Sequence, residues 1–73
     1  MKRFIKDGSG NLFDAAHVAK LAHAGGTITV TVDWDSAANG VDTFTYSGDA
    51  DAMERLCFEI NYSKEVIIDA VNV

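Results

Sequence analysis

The chain has 73 residues and a mass of 7.9 kDa, with a single cysteine, no proline and a formal net charge of −5 at pH 7. This length accommodates one domain, residues 1–73, and a hydrophobic fraction of 48% excludes a largely disordered chain. The lone thiol, Cys57, excludes an internal disulfide framework and any metal site built from several cysteines.

The first predicted elements form a short hairpin. Residues 2–6 are predicted to be a short strand. The sequence DGSGN at 7–11 predicts a turn, because glycine accepts positive φ and Asp7 can hydrogen-bond to nearby backbone. Leu12 and Phe13 would then form the returning strand.

The next segment, 15–24, is predicted to be a helix. Asp14 is a suitable N-cap residue, Gly25 is suited to the position just beyond the last turn, and apolar residues recur at helical spacing between them. The alternative interpretation of this segment is a strand through His17 to Ala22.

Two strands give the clearest signal in the sequence. Apolar side chains alternate strictly with threonine and aspartate along Thr27–Trp34, which places the apolar set on one face of a sheet. Val41–Ser47 alternates in the same way, and six residues separate the two segments. The pair therefore predicts an antiparallel hairpin whose threonine-rich side faces solvent.

A second helix is predicted within residues 47–63. Asp51 and Glu54 have the spacing of a capping box, and Asp49 adds negative charge beside the positive end of the helix. Apolar residues at i, i+3, i+4 and i+7 predict a core face formed by Met53, Leu56, Cys57 and Ile60. On that face Cys57 is predicted to be a buried apolar residue and not a nucleophile.

The final segment, 65–73, is short and rich in β-branched residues, which favours a last strand over an extension of the helix. The predicted order is β-β-α-β-β-α-β. This order indicates an α+β fold in which two helices pack on one face of a mainly antiparallel sheet. No internal repeat, linker or low-complexity tract is evident.

The sequence contains no recognisable catalytic or metal-binding constellation. The segment DWDSAANG, from Asp33, begins like a calcium loop but has alanine where the invariant glycine should stand. His17 and His23, if helical, would point about 120° apart and could not hold one ion. Phosphate-binding loops and nucleophile elbows are also missing. We therefore expect no enzymatic activity, no metal and no cofactor.

Carboxylates are concentrated in the latter part of the chain. Up to Val32 four basic residues stand against two acidic ones, and from Asp33 onward nine acidic residues stand against two basic ones. This asymmetry predicts an acidic surface, the alternative being carboxylates scattered for solubility. It also disfavours direct binding of nucleic acid. Apolar runs are too short for a signal peptide or a membrane span, so a cytoplasmic location away from membranes is expected.

Two aromatic residues, Phe58 and Tyr62, lie opposite the predicted core face of the second helix. Either another part of the chain covers them, or they are exposed for a partner, as aromatic residues with a charged rim are in binding hot spots.

These observations favour a non-catalytic protein that occupies a basic site on a partner protein, as a nucleic-acid mimic where that site binds nucleic acid. In its size, acidity and lack of chemistry the chain resembles the small phage-encoded inhibitors of bacterial defence such as anti-CRISPR proteins, a class-level resemblance that assigns no residues. The alternative is a small assembly domain, a homodimer or an accessory subunit, that uses an open sheet edge at Val66–Val73. The predicted partner-binding residues are Asp33, Trp34, Asp35, Asp42, Asp49, Asp51, Glu54, Phe58, Glu59 and Tyr62.

Overall fold

The computed structural model of the chain describes residues 2–33 and 40–73. Within these ranges the chain forms six strands, one α-helix and two 3-10 turns. The strands are β1 (Phe4–Lys6), β2 (Leu12–Asp14), β3 (Val18–Ala24), β4 (Thr27–Asp33), β5 (Val41–Ser47) and β6 (Ile67–Asp69). The helix is α1 (Ala50–Tyr62), and the 3-10 turns span Ala15–His17 and Ala70–Asn72.

The strands form two sheets of three strands each. In the small sheet β1 is central, with β2 antiparallel on one side and β6 parallel on the other. In the large sheet β3, β4 and β5 form an antiparallel meander. Side chains from both sheets, from α1 and from the two 3-10 turns share one core. Its buried apolar members are Ile5, Ala15, Ile28, Val30, Val32, Phe44, Tyr46, Leu56, Ile68 and Ala70.

The helix predicted over residues 15–24 is wrong, and the alternative strand interpretation is the closer one. Ala15–His17 forms a single 3-10 turn, and Val18–Ala24 is β3, which pairs with β4. Gly25 and Gly26 have φ angles of 58° and 76°, as the two central positions of a type I′ hairpin turn require. Gly25 therefore reverses the chain between two strands and does not end a helix.

The hairpin predicted from the two alternating segments is present. β5 spans the predicted residues 41–47, and its register with β4 is unbroken from Ser47 opposite Thr27 to Val41 opposite Asp33. The threonines of the hairpin are exposed or half-buried, while the apolar residues that alternate with them are buried. The buried side chains of the hairpin are Ile28, Val30, Val32, Phe44 and Tyr46.

The N-cap of α1 is Asp49 and not the predicted Asp51. The Asp49 Oδ1 atom accepts a hydrogen bond from the Ala52 N–H at 2.9 Å, which satisfies one of the free donors of the first turn. The same hydrogen bond lowers the pKa of Asp49. Asp51 lies in the first turn, where its carboxylate is 3.4 Å from the Arg55 guanidinium.

The other end of α1 is held by Arg3, which precedes β1. Its guanidinium donates hydrogen bonds to the carbonyl oxygens of Glu59 at 2.7 Å and Ile60 at 2.8 Å, and its Nε donates to the Glu65 carbonyl at 3.0 Å. A cation at this position satisfies the free carbonyls of the last turn and complements the helix dipole. Arg3 therefore ties α1 to the small sheet.

The strand predicted over residues 65–73 is confirmed only in part. β6 covers Ile67–Asp69, and the chain then turns into a 3-10 turn at Ala70. The strand ends there because the Asp69 side chain accepts a hydrogen bond from the Val71 N–H at 3.3 Å, which bends the backbone away from the sheet.

A short sequence motif recurs after the two outer strands of the small sheet. The motif Asp-Ala-x-x-Val occurs at 14–18 and again at 69–73. In each copy the aspartate caps a 3-10 turn and the alanine is buried in the core. The two copies follow β2 and β6, the strands on either side of β1. Ile5 of β1 lies opposite Phe13 of β2 and opposite Ile68 of β6.

The structure therefore has the predicted α+β class, with one α-helix in its described part where the sequence predicted two. No helix in the described residues is both long enough and apolar enough to cross a bilayer.

Candidate protein-interaction surface

The outward side of α1 carries two exposed aromatic side chains. Phe58 is 60% exposed and Tyr62 is 72% exposed, and their ring centroids are 5.0 Å apart with a tilt of 45°. No other part of the described chain covers the two rings, so the first of the two interpretations of this pair is wrong. The rings contact each other at this tilt and face solvent.

Helical spacing places these rings in a continuous stripe. Asp51, Arg55, Phe58 and Tyr62 are separated by four, three and four residues, so they lie above one another on one side of α1. The opposite side is anchored by Leu56, whose side chain is fully buried. We call the outward residues Asp51, Glu54, Arg55, Phe58, Glu59 and Tyr62 the α1 surface.

An open groove of about 310 Å³ borders the aromatic pair. It is lined by Arg55, Phe58 and Glu59 from α1 and by Val73 from the C-terminal segment. The Nε atom of Arg55 donates a hydrogen bond to the Val73 carbonyl at 3.4 Å, which keeps the groove's two walls together. Sequence reasoning missed Arg55 and Val73. The spacing of Arg55 from Phe58 could have indicated the first, but no sequence signal indicates the second.

The carboxylates on α1 give this surface its charge. Asp51, Glu54 and Glu59 surround the rings, and Arg55 is the one cation among the residues of the α1 surface. Asp51 and Glu54 are exposed and Glu59 is half-buried. The structure therefore combines apolar rings and a predominantly negative rim on one helix face.

The remaining described carboxylates of the predicted site lie off this surface. Asp33 and Asp42 lie where β4 ends and β5 begins, and Asp49 follows the other end of β5 as the N-cap of α1. The five-residue step from Asp42 to Ser47 corresponds to about 17 Å of strand. Asp33 and Asp42 therefore lie on the β4–β5 hairpin, about one strand length from Asp49. Two predicted site residues, Trp34 and Asp35, lie outside the described residues.

Cys57 is exposed, so the prediction that it is buried on the core face is wrong. Its sulfur lies 3.5 Å from the side-chain nitrogen of Asn61, and its carbonyl accepts a hydrogen bond from the same nitrogen at 2.9 Å. α1 packs most closely at Leu56, so its buried strip is narrower than the periodicity predicted. Within the described ranges, no three histidine, cysteine or carboxylate side chains cluster as metal ligands.

One buried carboxylate, Asp14, organises the corner between β2 and β3. It accepts hydrogen bonds from the Ala16 N–H at 2.9 Å, and its Oδ2 lies 3.0 Å from the Lys2 Nζ and 3.1 Å from the His17 Nδ1. The Ala16 hydrogen bond, with Lys2 and His17, lowers the pKa of Asp14 despite its burial. These contacts hold the corner together, which is a structural role.

A second buried carboxylate, Asp7, holds the turn between β1 and β2. Burial opposes its ionisation, but hydrogen bonds from the backbone and side chain of Asn11 and from the N–H groups of Ser9 and Gly10 outweigh that effect and lower its pKa. Asp7 is therefore a turn-forming residue as well, and the predicted turn at 7–11 is confirmed.

Comparison with known proteins finds no matching family model, no matching curated protein and no matching solved structure. The geometry of the α1 surface is therefore the basis for a functional argument.

Proposed function

We propose that the chain is a non-catalytic protein-binding module whose α1 surface inserts Phe58 and Tyr62 into an apolar site with a basic rim on a partner protein. The observation that carries this proposal is the pair of exposed rings in contact on α1. Aromatic side chains are frequent energetic centres of protein interfaces, because they bury a large area and lose few rotamers on binding.

The aromatic pair is ordered before any partner binds. Asp49 caps the first turn of α1 and Arg3 holds its last turn, so the backbone that carries the rings is fixed at both ends. Phe58 and Tyr62 also restrict each other through the contact between their rings. Association therefore loses less conformational entropy than it would with isolated, mobile side chains.

Charge supports the choice of a basic partner. The chain has a net charge of −5, and carboxylates predominate on the α1 surface. Lysine and arginine side chains around an apolar pocket would complement this pattern and accelerate association. Where such a basic site normally binds nucleic acid, the chain would act as an inhibitor by competition, the role expected of phage-encoded anti-CRISPR-like proteins.

The proposal is tested by capture of a partner on immobilised protein, comparing F58A/Y62A with the wild type. We expect the double variant to bind the captured partner at least tenfold more weakly, because it lacks both anchors. The matched control is L12A/V71A, which removes two exposed apolar side chains, one from β2 and one from the 3-10 turn after β6. Equal affinity of wild type and F58A/Y62A for the partner would contradict the proposal, provided that both remain folded.

Ionic strength tests the proposed basic rim. Raising salt from about 0.05 to about 0.5 M should weaken binding of the partner, since exposed charges are screened over shorter distances. E54Q/E59Q should reduce both the affinity and its salt dependence, whereas D33N/D42N, on the β4–β5 hairpin outside the α1 surface, should change neither. An affinity that stays constant across this salt range would argue against charge competition.

A second candidate function is assembly through the edge of β6, either between two copies or with a larger complex. The observation that favours it is the exposure of Val66 and Ile67, each about half exposed. They lie at the edge strand β6, which pairs with β1 on one side and with no described strand on the other. I67K should then abolish assembly, and L12K, on the opposite edge strand of the small sheet, should preserve it. A monomeric wild type would exclude self-assembly by this route.

A further inference from the structure

We infer that the free edge of β5 pairs with β5 of a second copy of the chain, so that two large sheets join into one six-stranded antiparallel sheet. This inference concerns a different surface from the α1 surface and does not depend on the proposed function. It rests on the direction of the β5 backbone groups, on the protection of the other sheet edges and on the symmetry of the β5 sequence.

The hydrogen-bond pattern shows which backbone groups of β5 face away from β4. The Gly48 N–H donates to the Gly26 carbonyl at 3.0 Å, next to the Thr27–Ser47 pair, so Gly26 and Gly48 form a hydrogen-bonded pair. Hydrogen-bonded and non-hydrogen-bonded pairs alternate along an antiparallel ladder. The N–H and C=O groups of Val41, Thr43, Thr45 and Ser47 therefore point outward, where no strand in the described part of the chain pairs with them.

The other edges of the two sheets offer less to a second copy of the chain than the edge of β5 does. β2 and β6 have only three residues each. β3 has an irregularity between Val18 and Lys20 and carries the Lys20 cation. Short strands, bulges, lysines and covering elements are the usual protection of sheet edges. β5 has seven residues, unbroken pairing with β4, no proline and no lysine.

The sequence of β5 is compatible with pairing to itself. In a two-fold dimer the two strands are antiparallel, so centring the pair on Phe44 places Thr43 opposite Thr45 of the second copy. Val41 then lies opposite Ser47, and Asp42 lies opposite Tyr46. No two carboxylates face each other, because the two Asp42 side chains are separated by about 13 Å along the strands, beyond the screening length of about 8 Å.

The mass of the protein in solution tests this inference. Sedimentation of the wild type between about 10 μM and about 1 mM should show a monomer–dimer equilibrium. T43K/T45K places lysines opposite lysines in the dimer and should weaken it roughly tenfold, whereas T43K/T45E places opposite charges together and should preserve it. T29K/T31K, with the same side chains on the adjacent strand β4, is the matched control and should remain dimeric.

A second variant keeps the test decisive if the two lysines prevent folding. T45P removes one outward-facing N–H without removing a hydrogen bond to β4, and it should also give a monomer. A wild type that is monomeric up to about 1 mM overturns the inference. A dimer that is lost in F58A/Y62A but kept in T43K/T45K also overturns it, because α1 would then form the contact. Retained partner binding by T43K/T45K would show that the α1 surface acts independently.

Discussion

At the scale of single residues, Arg3 links the first residues of the chain to the end of α1 through three backbone carbonyls. We expect R3A to lower the free energy of unfolding by about 2 kcal/mol, because charge-assisted hydrogen bonds and a favourable helix-dipole contact are lost together. R3K should lower the free energy of unfolding by less than R3A does, since lysine keeps the positive charge but lacks the planar guanidinium that donates several hydrogen bonds. Urea unfolding measures both effects, and R3A within about 0.5 kcal/mol of wild type would contradict this role.

Tyr46 has a buried hydroxyl that contacts no hydrogen-bonding partner in the described part of the chain. Burial raises the pKa of this hydroxyl, against the opposing charge of Arg55. Y46F removes the hydroxyl and keeps the ring in the core, so we expect stability to be unchanged or to rise by up to about 1 kcal/mol. Thermal unfolding provides the measurement. A loss of stability greater than about 1 kcal/mol would show that the hydroxyl is satisfied in solution.

At the scale of elements, the position of the helix cap gives a direct comparison of two aspartates. D49A should lower the free energy of unfolding by about 1 kcal/mol, because it removes the acceptor for the Ala52 N–H. D51A should lower it by less than about 0.5 kcal/mol, since it removes only an exposed ion pair with Arg55. Chemical denaturation of both variants tests this order, and the reverse order would place the cap at Asp51.

The elements that could be predicted from the sequence are those with strong periodicity. β4, β5 and α1 follow from alternation or helical spacing. The segment 15–24 contains alanines that suit a helix, but tertiary pairing with β4 decides its structure. The Gly25–Gly26 pair was the available signal for a hairpin turn there. Periodicity also placed Cys57 on the core face, yet the contact of α1 is too narrow to bury it.

At the scale of the whole molecule, three carboxyl groups with lowered pKa couple folding to pH. Asp7, Asp14 and Asp49 ionise more readily in the folded state than their ordinary value of 3.8. Their stabilising contribution is therefore complete above that value and is lost as pH falls through the lower folded-state pKa values. We expect the melting temperature to be constant near neutrality and to fall below about pH 4.

The variant D14N tests this linkage, because it removes one of the three titrating groups. Its stability at neutral pH should be lower than that of the wild type, and its loss of stability between pH 5 and pH 2 should be smaller. Urea unfolding across this range measures both quantities. Parallel pH profiles for the two proteins would mean that Asp14 does not contribute to acid unfolding.

The candidate site could be predicted from the sequence only where its residues share one element. Phe58 and Tyr62 were identified from their place on a single helix. Asp33 and Asp42 lie on the β4–β5 hairpin instead, and their distance from the rings depends on tertiary packing that local spacing does not encode. Val73 reaches the groove through the 3-10 turn after β6, a contact between distant segments that local spacing does not encode.

The parallel pairing of β1 with β6 has a consequence for the order of folding. Phe4 lies beside Ile67, so β1 gains its second neighbour only when two segments that are distant in the sequence meet. Contacts between such distant segments form slowly, because a long loop must close first. The β3–β5 meander pairs segments that are neighbours in the sequence and can form early, whereas the β1–β6 pairing and the anchoring of α1 by Arg3 need closure of the long loop first.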